Sequence, residues 1–154
     1  SNIGLVLSLR EVIGGAGLLA LVGIAEADTP DDMAWLAGKL PNLRIFEDPA
    51  GKMNLSVLDL PESTAGERAG LLLVPNFTLA GGAGAAHRGR RPSFDAAMRP
   101  EGAAPLFDRL VDAIRVAAPT LTVQTGIFRA TMAVELVNDG PVTLILDSRH
   151  PGKG

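Results

Sequence analysis

Near the C-terminus, two aliphatic runs, Val134-Glu135-Leu136-Val137 and Val142-Thr143-Leu144-Ile145-Leu146, are joined through Asn138-Asp139-Gly140-Pro141. Short runs of Val, Leu and Ile favour strands. The join contains the two residue types that constrain a backbone most: Gly, free to take φ > 0, and Pro, locked at roughly −65°. The chain must break or turn here, and an interrupted β pair is predicted. X–Pro bonds in folded proteins are cis in only about 5–6% of cases, so local chemistry favours trans at Gly140–Pro141.

The same punctuation orders the rest of the chain. Residues 3–9 and 17–24 are apolar runs separated by Gly14-Gly15. They read as two strands, the second buried on both faces. Thr29-Pro30-Asp31-Asp32 combines an N-cap hydroxyl, a proline suited to the first helical position and carboxylates in the first turn. The spacing of Met33, Leu36, Ala37 and Leu40 then predicts a helix that ends before Pro41, with Trp35 packed at its flank. A hairpin is predicted from residues 43–46 through Asp48-Pro49-Ala50-Gly51 to a returning strand at 55–58, followed by a polar loop over 61–70. Residues 71–74 read as a buried strand and the small residues 80–86 as a loop. Ala103, Leu106, Phe107, Leu110, Val111 and Ile114 form a second helical stripe, whose first turn Pro105 is expected to make irregular or late. Residues 121–125 and 132–137 complete the predicted strands.

A chain of 154 residues can bury one core without metals or disulfides, so a single domain over 1–148 with a polar tail at 149–154 is expected. Cysteine is absent, which excludes thiolate chemistry and suits a reducing cytosol. No basic segment precedes the run at 3–9, and that run is too short to span a bilayer, so a soluble cytoplasmic protein without a membrane partner is expected. A net charge of −3 argues against a long non-specific grip on nucleic acid, and 4% aromatics argue against a base-stacking platform. His87-Arg88-Gly89-Arg90-Arg91 is the exception in charge: a solvated loop by default, a phosphate patch as the alternative.

Standard side-chain chemistry finds no foothold. The two histidines, His87 and His150, lie in a Gly/Arg-rich loop and in the tail, without a nucleophile elbow. No metal-ligand spacing is present, and no metal or cofactor is expected. Gly14-Gly15-Ala16-Gly17 precedes a strand, whereas a dinucleotide loop must follow one. Thr78 has no base beside it in sequence and reads as a strand-end hydroxyl bonded to backbone. If the chain is an enzyme, backbone N–H groups, which can form an oxyanion hole, remain as its candidate catalytic donors.

Several segments together resemble the D-aminoacyl-tRNA deacylases. They are Gly17-Leu18-Leu19 through Gly23; Leu43-Arg44-Ile45-Phe46-Glu47-Asp48 with Gly51-Lys52-Met53-Asn54-Leu55; Gly89-Arg90-Arg91-Pro92-Ser93-Phe94; Gln124-Thr125-Gly126; and Asn138-Asp139-Gly140-Pro141-Val142-Thr143. The resemblance implies an α/β fold, a layered β-β-α sandwich of mixed, largely antiparallel sheets with two main helices. It implies hydrolysis of the ester of D-aminoacyl-tRNA, and of glycine mischarged on tRNA, by a homodimer without cofactor. Gly140 and Pro141, with their bond now implied to be cis, become a chiral filter inserted into the partner's active site. The family's Ser-Gln-Phe-Thr-Leu motif is Pro75-Asn76-Phe77-Thr78-Leu79 here, and the N–H groups of Phe77 and Thr78 are implied as the oxyanion hole, assisted by the ribose 2′-hydroxyl. Asn76, Phe128 and Met132 are implied to line the pocket, and Arg88, Arg90 and Arg91 to hold tRNA phosphates. Pro75, Asn76, Arg129 and Thr131 depart from the family pattern, and the opening hairpin is shorter. Two alternatives follow: a catalytically weakened tRNA-binding homologue, and a small-ester hydrolase with Thr78 as nucleophile.

Overall fold

Strand β2 (Gly17–Val22) sets the architecture because both of its faces are apolar. Leu18, Ala20 and Val22 point to one side and Leu19 and Leu21 to the other, the period-two alternation of a strand covered twice. The computed structural model describes residues 3–9, 16–80, 94–128 and 138–149, with the backbone alone for 3–9, 80 and 138–141. Around β2, a five-stranded sheet runs in the order β6-β5-β2-β1-β7, where β1 is Ile3–Leu9, β5 Gly70–Pro75, β6 Thr122–Thr125 and β7 Asn138–Asp147. β1 pairs antiparallel with β2 and β7, whereas β5 pairs parallel with β2 and β6. A separate antiparallel pair joins β3 (Phe46–Glu47) to β4 (Met53–Leu55). The mixed α/β fold with two main helices is the one expected.

Helices α1 (Pro30–Lys39) and α2 (Pro100–Ala117) pack on each other and on one face of the sheet. The predicted stripe of α1 is buried at Met33, Leu36 and Ala37, and Leu40 continues it into a 3-10 turn that accommodates Pro41. Asp32 closes the start of α1 by accepting the Thr29 N–H at 2.8 Å and the Thr29 hydroxyl at 3.1 Å. Burial raises the pKa of this carboxyl, but hydrogen bonds from the Ser148 hydroxyl and from Thr29 outweigh that and hold it below the ordinary range.

Three expectations are corrected. The returning strand at 55–58 is shorter: β4 stops at Leu55, and Val57–Asp59 is a 3-10 turn. Asp59 accepts the Ser56 N–H at 2.8 Å and the Ser56 hydroxyl at 3.0 Å, repeating the Asp32 arrangement and ending the strand. Pro105 leaves α2 regular from Pro100 onward, because it sits early in the helix and removes a single i→i−4 bond. Residues 138–147 are one strand rather than a turn and a strand. The break appears instead as a bulge: Leu7 faces Thr143 and Leu9 faces Asn138, so residues 139–142 stand opposite Ser8 alone. Proline, which has no N–H for a ladder, is tolerated at such a bulge. The isomer of the Gly140–Pro141 bond, implied to be cis, is not among the described features. The predicted strand at 132–137 lies outside the described residues.

Candidate functional site

Parallel pairing brings the C-terminal ends of β2, β5 and β6 to one edge of the sheet, and the chain there leaves an open space. The register sets Val22 beside Pro75, and the Asn76 N–H donates to the Val22 carbonyl at 2.8 Å, carrying the pairing one residue past β5. The chain then tightens into a 3-10 turn over Phe77–Ala80. On the far side, the Met98 N–H donates to the Ile24 carbonyl and the Glu26 N–H to the Ala96 carbonyl, each at 2.9 Å. These bonds tie the segment leading into α2 to the chain that leaves β2.

Between them lies a cavity of about 430 Å³ lined by Val22, Ile24, Pro75, Asn76, Phe77, Met98, Pro100, Ala103 and Phe128. The wall is mostly apolar, and none of these side chains titrates. Its polar features are the Asn76 carboxamide and the backbone N–H of Phe77. Phe128 is held by an edge-to-face contact with the buried Phe107, with ring centroids 5.3 Å apart and planes at 84°. Phe77 is 49% exposed and rests against Phe94, centroid to centroid 5.9 Å.

The Pro75-Asn76-Phe77-Thr78 segment has a defined internal geometry. Asn76 Oδ1 accepts the Thr78 hydroxyl at 2.6 Å and the Thr78 N–H at 3.1 Å. As the first residue of the turn, Phe77 has an N–H without an intrahelical acceptor. Thr78 is exposed and faces a carboxamide oxygen, which is too weak a base to activate its hydroxyl.

A model of the family described as D-Tyr-tRNA(Tyr) deacylase matches residues 7–147. The chain belongs to the D-Tyr-tRNA(Tyr) deacylase family. A protein of Geobacter sulfurreducens named D-aminoacyl-tRNA deacylase is 52% identical over 136 residues, covering 88% of this chain and 81% of its own. One of the same name from Chromobacterium violaceum is 51% identical over 137 residues, covering 89% and 84%. Among solved structures, the c-Myc DNA Unwinding Element Binding Protein superposes with a TM-score of 0.77 at 30% identity, covering 94% of this chain and 97% of that one. A probable eukaryotic D-amino acid tRNA deacylase superposes with a TM-score of 0.71 at 18% identity, a likeness of fold, covering 95% and 99%. Membership of the D-Tyr-tRNA(Tyr) deacylase family makes the chain a hydrolase.

Of the residues singled out in the sequence, the fold of this deacylase brings Asn76, Phe77 and Phe128 together at the cavity, and Thr78 is bonded to Asn76 through its hydroxyl. Gly140 and Pro141 lie in the bulge of the edge strand β7. Met132, Arg88, Arg90, Arg91, Arg129 and Thr131 lie outside the described residues. Sequence reasoning missed Val22, Ile24, Met98 and Ala103 as lining residues. An apolar side chain at a strand end or helix start has the same local signal whether it meets protein or ligand.

Proposed function

We propose that the protein hydrolyses the ester bond of D-aminoacyl-tRNA, and of glycine mischarged on tRNA, releasing free amino acid and tRNA as a chiral proofreading step in the cytoplasm. What carries this reading is the cavity lining: in a chain about half identical to proteins named D-aminoacyl-tRNA deacylase, the described wall offers hydrogen-bond donors and apolar surface but no acid, base or charged nucleophile. Such a site suits a reaction whose substrate brings its own hydroxyl. A water oxygen bonds to the ester carbonyl carbon and the bond from that carbon to the 3′-oxygen breaks. The water proton passes by way of the ribose 2′-hydroxyl to the departing 3′-oxygen. Donors in the Phe77-Thr78 turn stabilise the developing oxyanion.

Chirality is read by the backbone of Gly140 and Pro141 from a second copy of the chain. Their carbonyls accept hydrogen bonds from the ammonium of a D-amino acid and leave no room for an L side chain, while glycine passes. The bulge supports this reading, because four residues opposite one leave backbone groups outside the ladder on an edge strand. Arg88, Arg90 and Arg91 hold phosphates of the acceptor stem.

Incubation of purified protein with D-tyrosyl-tRNA tests the proposal: free D-tyrosine is expected, and an inert protein would sink it. A Thr78 nucleophile predicts that Thr78→Ala abolishes cleavage. The hydroxyl's carboxamide partner argues instead that this variant keeps a substantial part of the activity.

A further inference from the structure

Met98 and Gly102 meet where α2 begins. Met98 stands just before the helix, its N–H donating to the Ile24 carbonyl at 2.9 Å, and the neighbouring Ala97 bridges to Ala25. Its main chain is thereby pinned to the chain that leaves β2. Its side chain lines the cavity and also packs against the main core. Gly102 lies in the first turn of α2, although glycine is a poor helix former. No left-handed backbone angle calls for glycine there. Space does: a Cβ on Gly102 would stand 3.0 Å from Met98 Sδ and 3.3 Å from Met98 Cγ, tighter than ordinary van der Waals contact. The missing Cβ seats the thioether against the helix.

The other described lining residues are stiff or held. Val22 and Ile24 are β-branched, Pro75 and Pro100 are rings, and Ala103 is short. Phe128 is clamped by Phe107, Phe77 rests on Phe94, and the Asn76 carboxamide is bonded to Thr78. Met98, by contrast, has an unbranched, rotatable side chain and a polarisable sulfur that packs well against aromatic rings.

We infer that Met98 is a specificity-determining residue: seated on Gly102, its thioether forms the adjustable wall of the cavity and sets the room for a planar ring carried by the aminoacylated 3′ end of the substrate. Such a ring has two sources, the purine of the terminal nucleoside and the side chain of an aromatic amino acid. The inference rests on the deacylase reading and deepens it. A Cβ added at Gly102 would drive the thioether toward the cavity, because the core side is already filled.

The experiment titrates enzyme in single-turnover cleavage of D-tyrosyl-tRNA and D-alanyl-tRNA, so that half-saturation and maximal rate are read separately. Wild type is compared with Gly102→Ala, Met98→Ala, Met98→Leu and the double variant Gly102→Ala, Met98→Ala, each with a thermal melt. Gly102→Ala is expected to raise the half-saturation concentration about three- to tenfold, the size of a sulfur–ring contact, with the maximal rate within about twofold. Met98→Ala should raise it similarly, and Met98→Leu, close in volume, should recover most of that loss. In the Met98→Ala background, Gly102→Ala has no thioether to displace and should add no further loss. Losses on D-tyrosyl-tRNA alone identify the ring as the amino acid's, and equal losses on both substrates identify the terminal purine. With an active wild type, a Gly102→Ala loss of fold or of half-saturation that persists in full in the Met98→Ala background overturns the inference alone, since the glycine then serves only the helix. The same holds for a loss confined to the maximal rate, or for none. An inactive wild type overturns the deacylase reading and this inference with it.

Discussion

Gly17 and Gly70 face each other across the parallel strands β2 and β5 so closely that a Cβ on Gly17 would collide with the Gly70 carbonyl oxygen. The approach is tightened by the Gly70 N–H donating to the Ala16 carbonyl at 3.1 Å. Since the obstacle is backbone, no rotamer change relieves it. At the other end of the same pairing stand Val22 and Pro75, two walls of the cavity.

Gly17→Ala is therefore expected to destabilise the protein by about 1–3 kcal/mol, the usual range for forced overpacking, and to lower activity by shifting the cavity wall. Gly70→Ala is the control. Its Cβ would meet the Thr122 carbonyl oxygen at an ordinary 3.6 Å, so stability should hold or rise slightly. Urea denaturation of the two variants separates them.

Acid should act through Asp32 and Asp59. Hydrogen bonds from Ser148 and Thr29 overcome the effect of burial at Asp32, and the Ser56 N–H and hydroxyl, with Arg44 nearby, act at Asp59; both carboxyls are held below the ordinary range. A group whose pKa is depressed on folding contributes stability above its unfolded pKa, and that contribution is lost as pH falls through the folded value. Stability should be flat near neutrality and fall below about pH 4. In an Asp32→Asn, Asp59→Asn double variant, the acid limb should be shallower. An unchanged limb in thermal melts across pH 2–6, read over roughly that range of carboxyl titration, would contradict the assignment.

Much of this was legible in the sequence where one period dominates. The α1 stripe and the two apolar faces of β2 are written in residue spacing, and packing confirms them. Residues 55–58 were misread because a short apolar run fits strand and turn alike; the Ser56-to-Asp59 spacing, a capping signal, was the clue. The bulge at 139–142 depends on β1 and has no local signature beyond Gly and Pro. The engagement of the Thr78 N–H by Asn76 requires the 3-10 turn and could not be read from side-chain types.

The aromatic wall offers a test of packing at the site. Phe107 and Phe128 meet edge to face at 5.3 Å, and such pairs contribute about 0.5–1.5 kcal/mol beyond buried area. A double-mutant cycle with Phe107→Leu and Phe128→Leu should return a coupling energy of about that size. Phe128→Leu should also raise KM, because it reshapes the cavity lining. A coupling near zero would mean that the contact does not orient Phe128.

The basic cluster is tested by salt. If Arg88, Arg90 and Arg91 hold phosphates, replacing one by Ala weakens tRNA binding regardless of the attached amino acid and lowers the log–log salt slope by about one. A slope unchanged in the triple variant would assign the cluster to solvent.

The central claim is tested most directly by single-turnover cleavage of one tRNA charged with D-tyrosine, L-tyrosine or glycine. Rejection by backbone sterics predicts D-tyrosyl-tRNA cleaved at least about 1,000-fold faster than the L-form, a margin beyond what one apolar contact worth about 1–3 kcal/mol supplies. Glycyl-tRNA should also be cleaved. Equal rates for the D- and L-forms, or no cleavage of the D-form, would contradict the account.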